Sequence, residues 1–202
     1  MEFLSRIGNM LRYDASSPLL FNTGLFMMLF ILFIFVYQLI RRRPTLKKLF
    51  VIAFSLFFYY KSGSWCVLIL AGLCVSDWAL GLLMNRLHHD APRRAVVALN
   101  VVLNVGMLVY FKYFNLLADA FCSITGQAFD PLDIILPAGI SFFTFRSISY
   151  IVDVYRRSMP PCRSLLDYAF FLTFFPPLLA GPVVRAKDML PQIPVAVTHL
   201  TL

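Results

Sequence analysis

The chain has 202 residues, of which 60% are hydrophobic, 16% aromatic and 14% charged, and its mean hydropathy is +0.77. A water-soluble globule carries an apolar fraction of about 45–50%, so this composition excludes a soluble domain and indicates an integral membrane protein. The formal charge of +8 does not point to nucleic acid, because the basic residues stand in short clusters between apolar runs rather than along one stripe interleaved with aromatic residues.

Residues 1–18 read as an extracytoplasmic N-terminus in which Glu2 and Asp14 offset Arg6 and Arg12. The first predicted span, residues 19–40, is uncharged and long enough, at 1.5 Å per residue, to cross a hydrocarbon core of about 30 Å. It ends at Arg41-Arg42-Arg43, a stop-and-anchor pattern rather than the small-residue cleavage site of a signal peptide. With Lys47 and Lys48, these arginines place the following loop in the cytoplasm and the N-terminus outside.

Further spans are predicted over residues 49–60, 65–84, 95–117 and 136–155. The loop with Arg86, His88, His89, Arg93 and Arg94 is basic, as is the one with Arg156, Arg157 and Arg163. The loop over residues 118–133 holds Asp119, Asp130 and Asp133 but no Lys or Arg. Inner loops are therefore basic throughout and outer ones are not, as the positive-inside rule requires. Residues 165–184 cannot form a plain spanning helix, since Pro176-Pro177 removes two backbone donors and Gly181-Pro182 breaks the remaining stretch. A re-entrant hairpin is the expected form. The predicted fold class is thus all-α, a single polytopic bundle of about five transmembrane spans plus one Pro/Gly-broken re-entrant segment.

Ionisable groups inside apolar helices are expensive and usually functional. Arg146, Ser149, Tyr150 and Asp153 follow an i, i+3, i+4, i+7 spacing that stacks them on one helix face. Two readings stay open: the stripe lines a substrate path, or Arg146 pairs with an acid of a neighbouring helix while Asp153 sits at the inner interface. Asp77, beside the small-residue pair Gly72 and Ser76, reads as a buried structural group that is either protonated or paired with Arg146. Lys112 lies near the outer end of its span and reads as a snorkelling anchor. No metal site is expected: Cys66, Cys74, Cys122 and Cys162 fall in different segments, and His88-His89 has no companion at ligand spacing. Phosphate-loop, nucleophile-elbow and catalytic-triad patterns are likewise missing from the sequence.

The linked pieces LPAGISFFTFRSISYIVDVYRR and SLLDYAFFLTFFPPLLAGPVVRAKDMLPQI, with YFKYFN at residues 110–115, resemble the membrane-bound O-acyltransferase family. The likeness is to its bacterial branch of alginate O-acetyltransferases and teichoic-acid D-alanyl transferases, and it extends over most of residues 46–194. Arg146 departs from the Gln that often follows Thr-Phe in that family, and Pro177 replaces a residue that is often polar. The resemblance implies a funnel that passes an acyl group from a cytoplasmic thioester donor, acetyl-CoA or an acyl-carrier protein, to a hydroxyl of an envelope polysaccharide. It implies no bound cofactor. It further implies a bacterial inner-membrane location, an extracytoplasmic esterase-like partner, and Arg146, Tyr150, Asp153 and Arg185 as funnel or donor-side residues. The family's catalytic histidine is expected C-terminal to residue 202, so this chain reads as an N-terminal part that is inactive alone. Outside the resemblance, a broken helix beside an intramembrane charge also fits a transporter or channel component. A truncated, non-catalytic membrane partner is the third reading.

Overall fold

Apolar, Gly/Pro-poor runs long enough for several helical turns form helices, and the computed structural model is built from them. It describes residues 24–40, 43–63, 66–125, 131–132, 139–174 and 184–193, and no strand occurs among these. The expected N-terminal segment and the start of the first span lie outside the described residues. So do Arg41, Arg42 and the Pro176–Pro182 turn of the expected hairpin.

Helix α1, Gly24–Leu39, packs on α2 through rings. Phe26 meets Phe58 edge-on at 5.5 Å and Phe33 meets Phe54 at 4.6 Å, while Met28, Ile31, Phe35 and Leu39 are exposed. Helix α2 spans Pro44–Gly63 and thus begins a turn before the expected 49. Pro44 occupies the first turn, where its missing N–H has no intrahelical partner to lose. Lys47 and Lys48, expected in a loop, are therefore helical. Lys47 is buried with its ammonium 5.1 Å from the Tyr37 ring centre, and Lys48 forms an ion pair with Asp167 at 2.5 Å.

Helix α3 covers Cys66–Arg86. Helix α4, Asp90–Leu108, runs through a π turn at Val109–Tyr113 into α5, Phe114–Thr125. Together these form a continuous helix of 36 residues, Asp90–Thr125; it and α3 are the two helices among the described residues long and apolar enough to cross a membrane. The loop expected from residue 118 is instead helical as far as Thr125, because a single Asp119 does not break the helix and residues 107–125 contain neither Gly nor Pro. Beyond its end, the Asn115 amide brackets Leu132, donating to its carbonyl at 2.8 Å and accepting its N–H at 3.2 Å.

Helix α6, Ile140–Tyr155, starts after Gly139, whose φ of 71° lies in the left-handed region that glycine enters without penalty. Helix α7, Leu165–Thr173, is capped by Ser164, whose hydroxyl accepts the Asp167 N–H at 3.2 Å. A short α8, Ala186–Met189, comes last. The core lies among α3, α4, α6 and α7, where Leu70, Met84, Phe143, Ile151, Phe171 and Leu172 are buried. One close approach fixes the α3–α6 distance: a Cβ on Gly81 would lie 2.8 Å from Tyr150 Cε1.

Candidate functional site

Within the core, α3, α4, α6 and α7 place five polar side chains together. Asp77 is 1% exposed. Its Oδ1 accepts from Asn100 Nδ2 at 2.6 Å and from Asn104 Nδ2 at 3.2 Å, and its Oδ2 accepts from the Tyr168 hydroxyl at 3.4 Å. Asn100 Nδ2 also reaches Ser147 Oγ at 3.4 Å, and Asn104 Nδ2 the Asn100 carbonyl at 3.1 Å. The asparagines stand four residues apart, so α4 presents both amides on one face. Every donor to Asp77 is uncharged; of the two alternatives for it, protonation or pairing with Arg146, the pairing is not seen.

Arg146 is buried on α6 and donates from Nη1 to the carbonyls of Phe171 at 3.1 Å and Leu172 at 3.4 Å, with Cζ 5.8 Å from the Phe171 ring centre. Its partners are not acids; it closes the C-terminal end of α7. The reason is in the sequence. A continuing helix would send the residue 176 N–H back to the Leu172 carbonyl, and Pro176 has none. The guanidinium supplies the missing donor and sits at the negative end of the helix dipole. Its Nη2 is buried without a partner.

Tyr150, one turn beyond Arg146, packs on Tyr168 at 4.6 Å between ring centres, and its hydroxyl accepts the Cys162 N–H at 3.1 Å. It ties α6 to the segment leading into α7. Asp153 accepts from the Ser158 hydroxyl at Oδ1 (3.3 Å), and its carbonyl accepts the Ser158 N–H at 3.0 Å. With Arg157 N–H bonded to the Val154 carbonyl at 3.2 Å, this is a Schellman closure whose left-handed position is Arg157, at φ 57°. Arg93 completes it from α4, giving Nη2 to the carbonyls of Val154 (3.1 Å) and Tyr155 (2.9 Å) and Nη1 to that of Met84 (3.3 Å). One arginine thus closes the ends of both α3 and α6.

A cavity of about 370 Å³ opens at this end, lined by Asn85, Arg93, Arg157, Ser158, Met159 and Pro160 among others. The C-terminal end of α3 and the first turn of α4 meet the α6–α7 connection there. Around it, burial pushes the Cys162 thiol above its ordinary value. Arg185 stands exposed just before α8, and Lys112 lies exposed in the π turn with Nζ 5.3 Å from the Tyr113 ring centre. Neither joins the buried cluster. His88 and His89 are exposed, and no group of metal ligands occurs among the described residues. Sequence reasoning missed Asn100, Asn104, Ser147 and Tyr168. The available signal was the pair of amides four residues apart in an otherwise apolar run.

No family model matches the chain, and no solved structure matches it significantly. Curated relatives do. Over 86% of its length it is 33% identical to the peptidoglycan O-acetyltransferase of Helicobacter pylori, covering 38% of that protein. Over the same share it is 37% identical to the probable alginate O-acetylase AlgI of Pseudomonas aeruginosa and 34% identical to that of Pseudomonas putida, covering 34% and 37% of those proteins. The chain thus spans little more than a third of the relatives it matches. Identity of this order across nearly the whole chain is common descent, and the chain belongs to the membrane-bound O-acyltransferase family.

Proposed function

We propose that this chain is part of a bacterial inner-membrane O-acetyltransferase, N-terminus outside, that moves an acetyl or other small acyl group to an envelope polysaccharide. The observation that carries the reading is the 33–37% identity, over 86% of the chain, to proteins named for acetylating peptidoglycan and alginate. The donor is a cytoplasmic thioester, acetyl-CoA or an acylated carrier protein. Both carry phosphate, and the cavity between the α3 and α4 ends and the α6–α7 connection, with Arg157 exposed on its lip, is a suitable donor-side mouth. In the reaction the acceptor hydroxyl oxygen attacks the thioester carbonyl, a base takes its proton and the thiolate leaves. That base, by family resemblance, is a histidine C-terminal to residue 202.

Residues of this chain then hold the funnel's shape. Arg146 closes the broken helix, Tyr150 fixes the α6–α7 connection, Asp153 ends α6 at the donor mouth, and Arg185 offers a charge to the donor. Asp77 and Lys112 are structural, and an extracytoplasmic esterase-like protein serves as partner. The test is carried out in the complete protein in its own membrane: Arg185→Ala and Arg157→Ala should each reduce the alkali-labile acetate on envelope polysaccharide while leaving membrane insertion intact. Unchanged acetate in both variants removes the donor-side assignment. Unchanged acetate after deletion of the gene removes the acetyltransferase reading altogether.

A further inference from the structure

An apolar groove of about 210 Å³ runs between α1 and α2, with Leu29, Leu32 and Val36 on one side and Phe50, Phe54 and Phe57 on the other. A buried charge stands at its end. Lys47, one turn before Phe50, is 1% exposed, and its ammonium lies 5.1 Å from the Tyr37 ring centre. That ring stacks on Phe33 at 5.9 Å, and Phe33 stacks on Phe50 at 5.2 Å, so groove and ammonium share one ladder of rings. The spacing of residues 47, 50, 54 and 57 keeps them on one face of α2. A ring face attracts the charge but offers no lone pair to the three N–H donors of an ammonium. The neighbouring Lys48 has Asp167 as its acid, whereas no acid or other hydrogen-bond acceptor among the described residues meets the Lys47 ammonium. Arg43 stands exposed one turn earlier, its carbonyl accepting the Lys47 N–H at 3.0 Å.

We propose that the groove and Lys47 bind one anionic phospholipid, an acyl chain lying between α1 and α2 and the phosphate accepting from the Lys47 ammonium, with Arg43 at its edge. The length agrees. From Lys47 to Phe57 is ten residues, about 15 Å along the axis, which is half of a hydrocarbon core of about 30 Å and so one leaflet. The chemistry agrees as well, because a phosphate supplies both the lone pairs and the negative charge that the ring lacks. The flexible lysine stem lets the ammonium turn from ring to phosphate while its carbons stay against apolar surface. A soluble phosphate would meet the cation and leave the groove empty, and a neutral chain would fill the groove and leave the charge unpaired. An anionic lipid does both. The inference stands apart from the acetyltransferase reading; only the leaflet follows from the orientation proposed above.

The experiment uses the complete protein, purified in detergent and offered equal amounts of phosphatidylglycerol and phosphatidylcholine with the same acyl chains. Native mass spectrometry counts the lipid retained. The unmodified protein should hold one phosphatidylglycerol in about fivefold preference, the effect of one basic side chain on an anionic headgroup. Lys47→Met keeps the stem and removes the charge, so it should abolish the preference, while Lys47→Arg should retain it. Arg156→Gln, which removes an exposed cation of the α6–α7 connection, should leave it unchanged. Leu32→Trp alters a half-exposed groove residue and leaves Lys47 intact; by filling the groove it should lower retention of phosphatidylglycerol. Equal retention of the two lipids by the unmodified protein overturns the proposal, as does undiminished preference in Lys47→Met or undiminished retention in Leu32→Trp. An equal loss in Arg156→Gln would reduce the effect to general surface attraction, and displacement of the lipid by millimolar inorganic phosphate would assign the ammonium to a free anion; either result overturns the proposal too.

Discussion

Gly81→Ala is the sharpest test of the packing between α3 and α6. Its new Cβ would overlap the Tyr150 hydroxyl and lie 2.8 and 2.9 Å from Cε1 and Cζ. Tyr150 cannot yield cheaply, because it is fully buried, packs on Tyr168 at 4.6 Å and holds the Cys162 N–H at 3.1 Å. Overpacking of this kind costs about 1–3 kcal/mol, and losing the hydrogen bond adds roughly 0.5–1.5 kcal/mol. Against this, alanine is a better helix residue than glycine by about 1 kcal/mol. Gly72→Ala, in the same helix with nothing within 4 Å of the added atom, isolates that propensity gain. The two variants should therefore differ by roughly 1.5–4.5 kcal/mol, with Gly72→Ala neutral or stabilised and Gly81→Ala destabilised. Reversible unfolding from detergent micelles by an SDS titration reads the difference. Equal stability of the two variants would mean that α3 and α6 are not in contact at this point, and the placement of Tyr150 would fall with it.

Burial raises the Cys162 thiol, so less of it is thiolate at neutral pH than in a free cysteine, and alkylation depends on the thiolate. Its maleimide labelling at pH 7 should be slower than that of a cysteine peptide and should climb through pH 9, about tenfold per unit while below its pKa; a plateau already at pH 8 would contradict the burial. For orientation, cysteines placed at the exposed positions of Asp119 and His89 should label from outside the intact cell and only after permeabilisation, respectively. The reverse pattern would put the cavity and the proposed donor on the wrong side.

Charges at the ends of apolar runs are enough to find the helices, but they misplace several boundaries, the start of α4 at Asp90 rather than residue 95 among them. Lys47 and Asp119 look like loop residues because loops are polar, yet neither side chain opposes the helical backbone, and Pro44 and Gly126 mark the ends better. The site is half legible. Arg146 and Asp77 stand out because charge in an apolar helix is costly. Their partners do not. Arg146 binds backbone carbonyls, which every residue possesses, and only the Pro176-Pro177 pair hints at which ones are free. Asp77 binds neutral amides, and Asn100 and Asn104 carry no charge to draw attention. Sequence proximity sets Asp153 among neighbouring arginines, whereas the Schellman turn folds Ser158 back onto it.

The uninterrupted helix from Asp90 to Thr125 has 36 residues and so measures about 54 Å, against roughly 30 Å for a hydrocarbon core. Were Asp90 at one face, Lys112 would come about 33 Å along the axis, which would set the π turn at the opposite boundary and leave three turns beyond it. One residue added in a π turn rotates everything after it by about 100°, which sets the apolar residues of those turns, Leu117, Phe121 and Ile124, out of line with those of α4. The same chain segment therefore carries two differently facing halves, one exposing apolar side chains and the other holding Asn100 and Asn104 against Asp77.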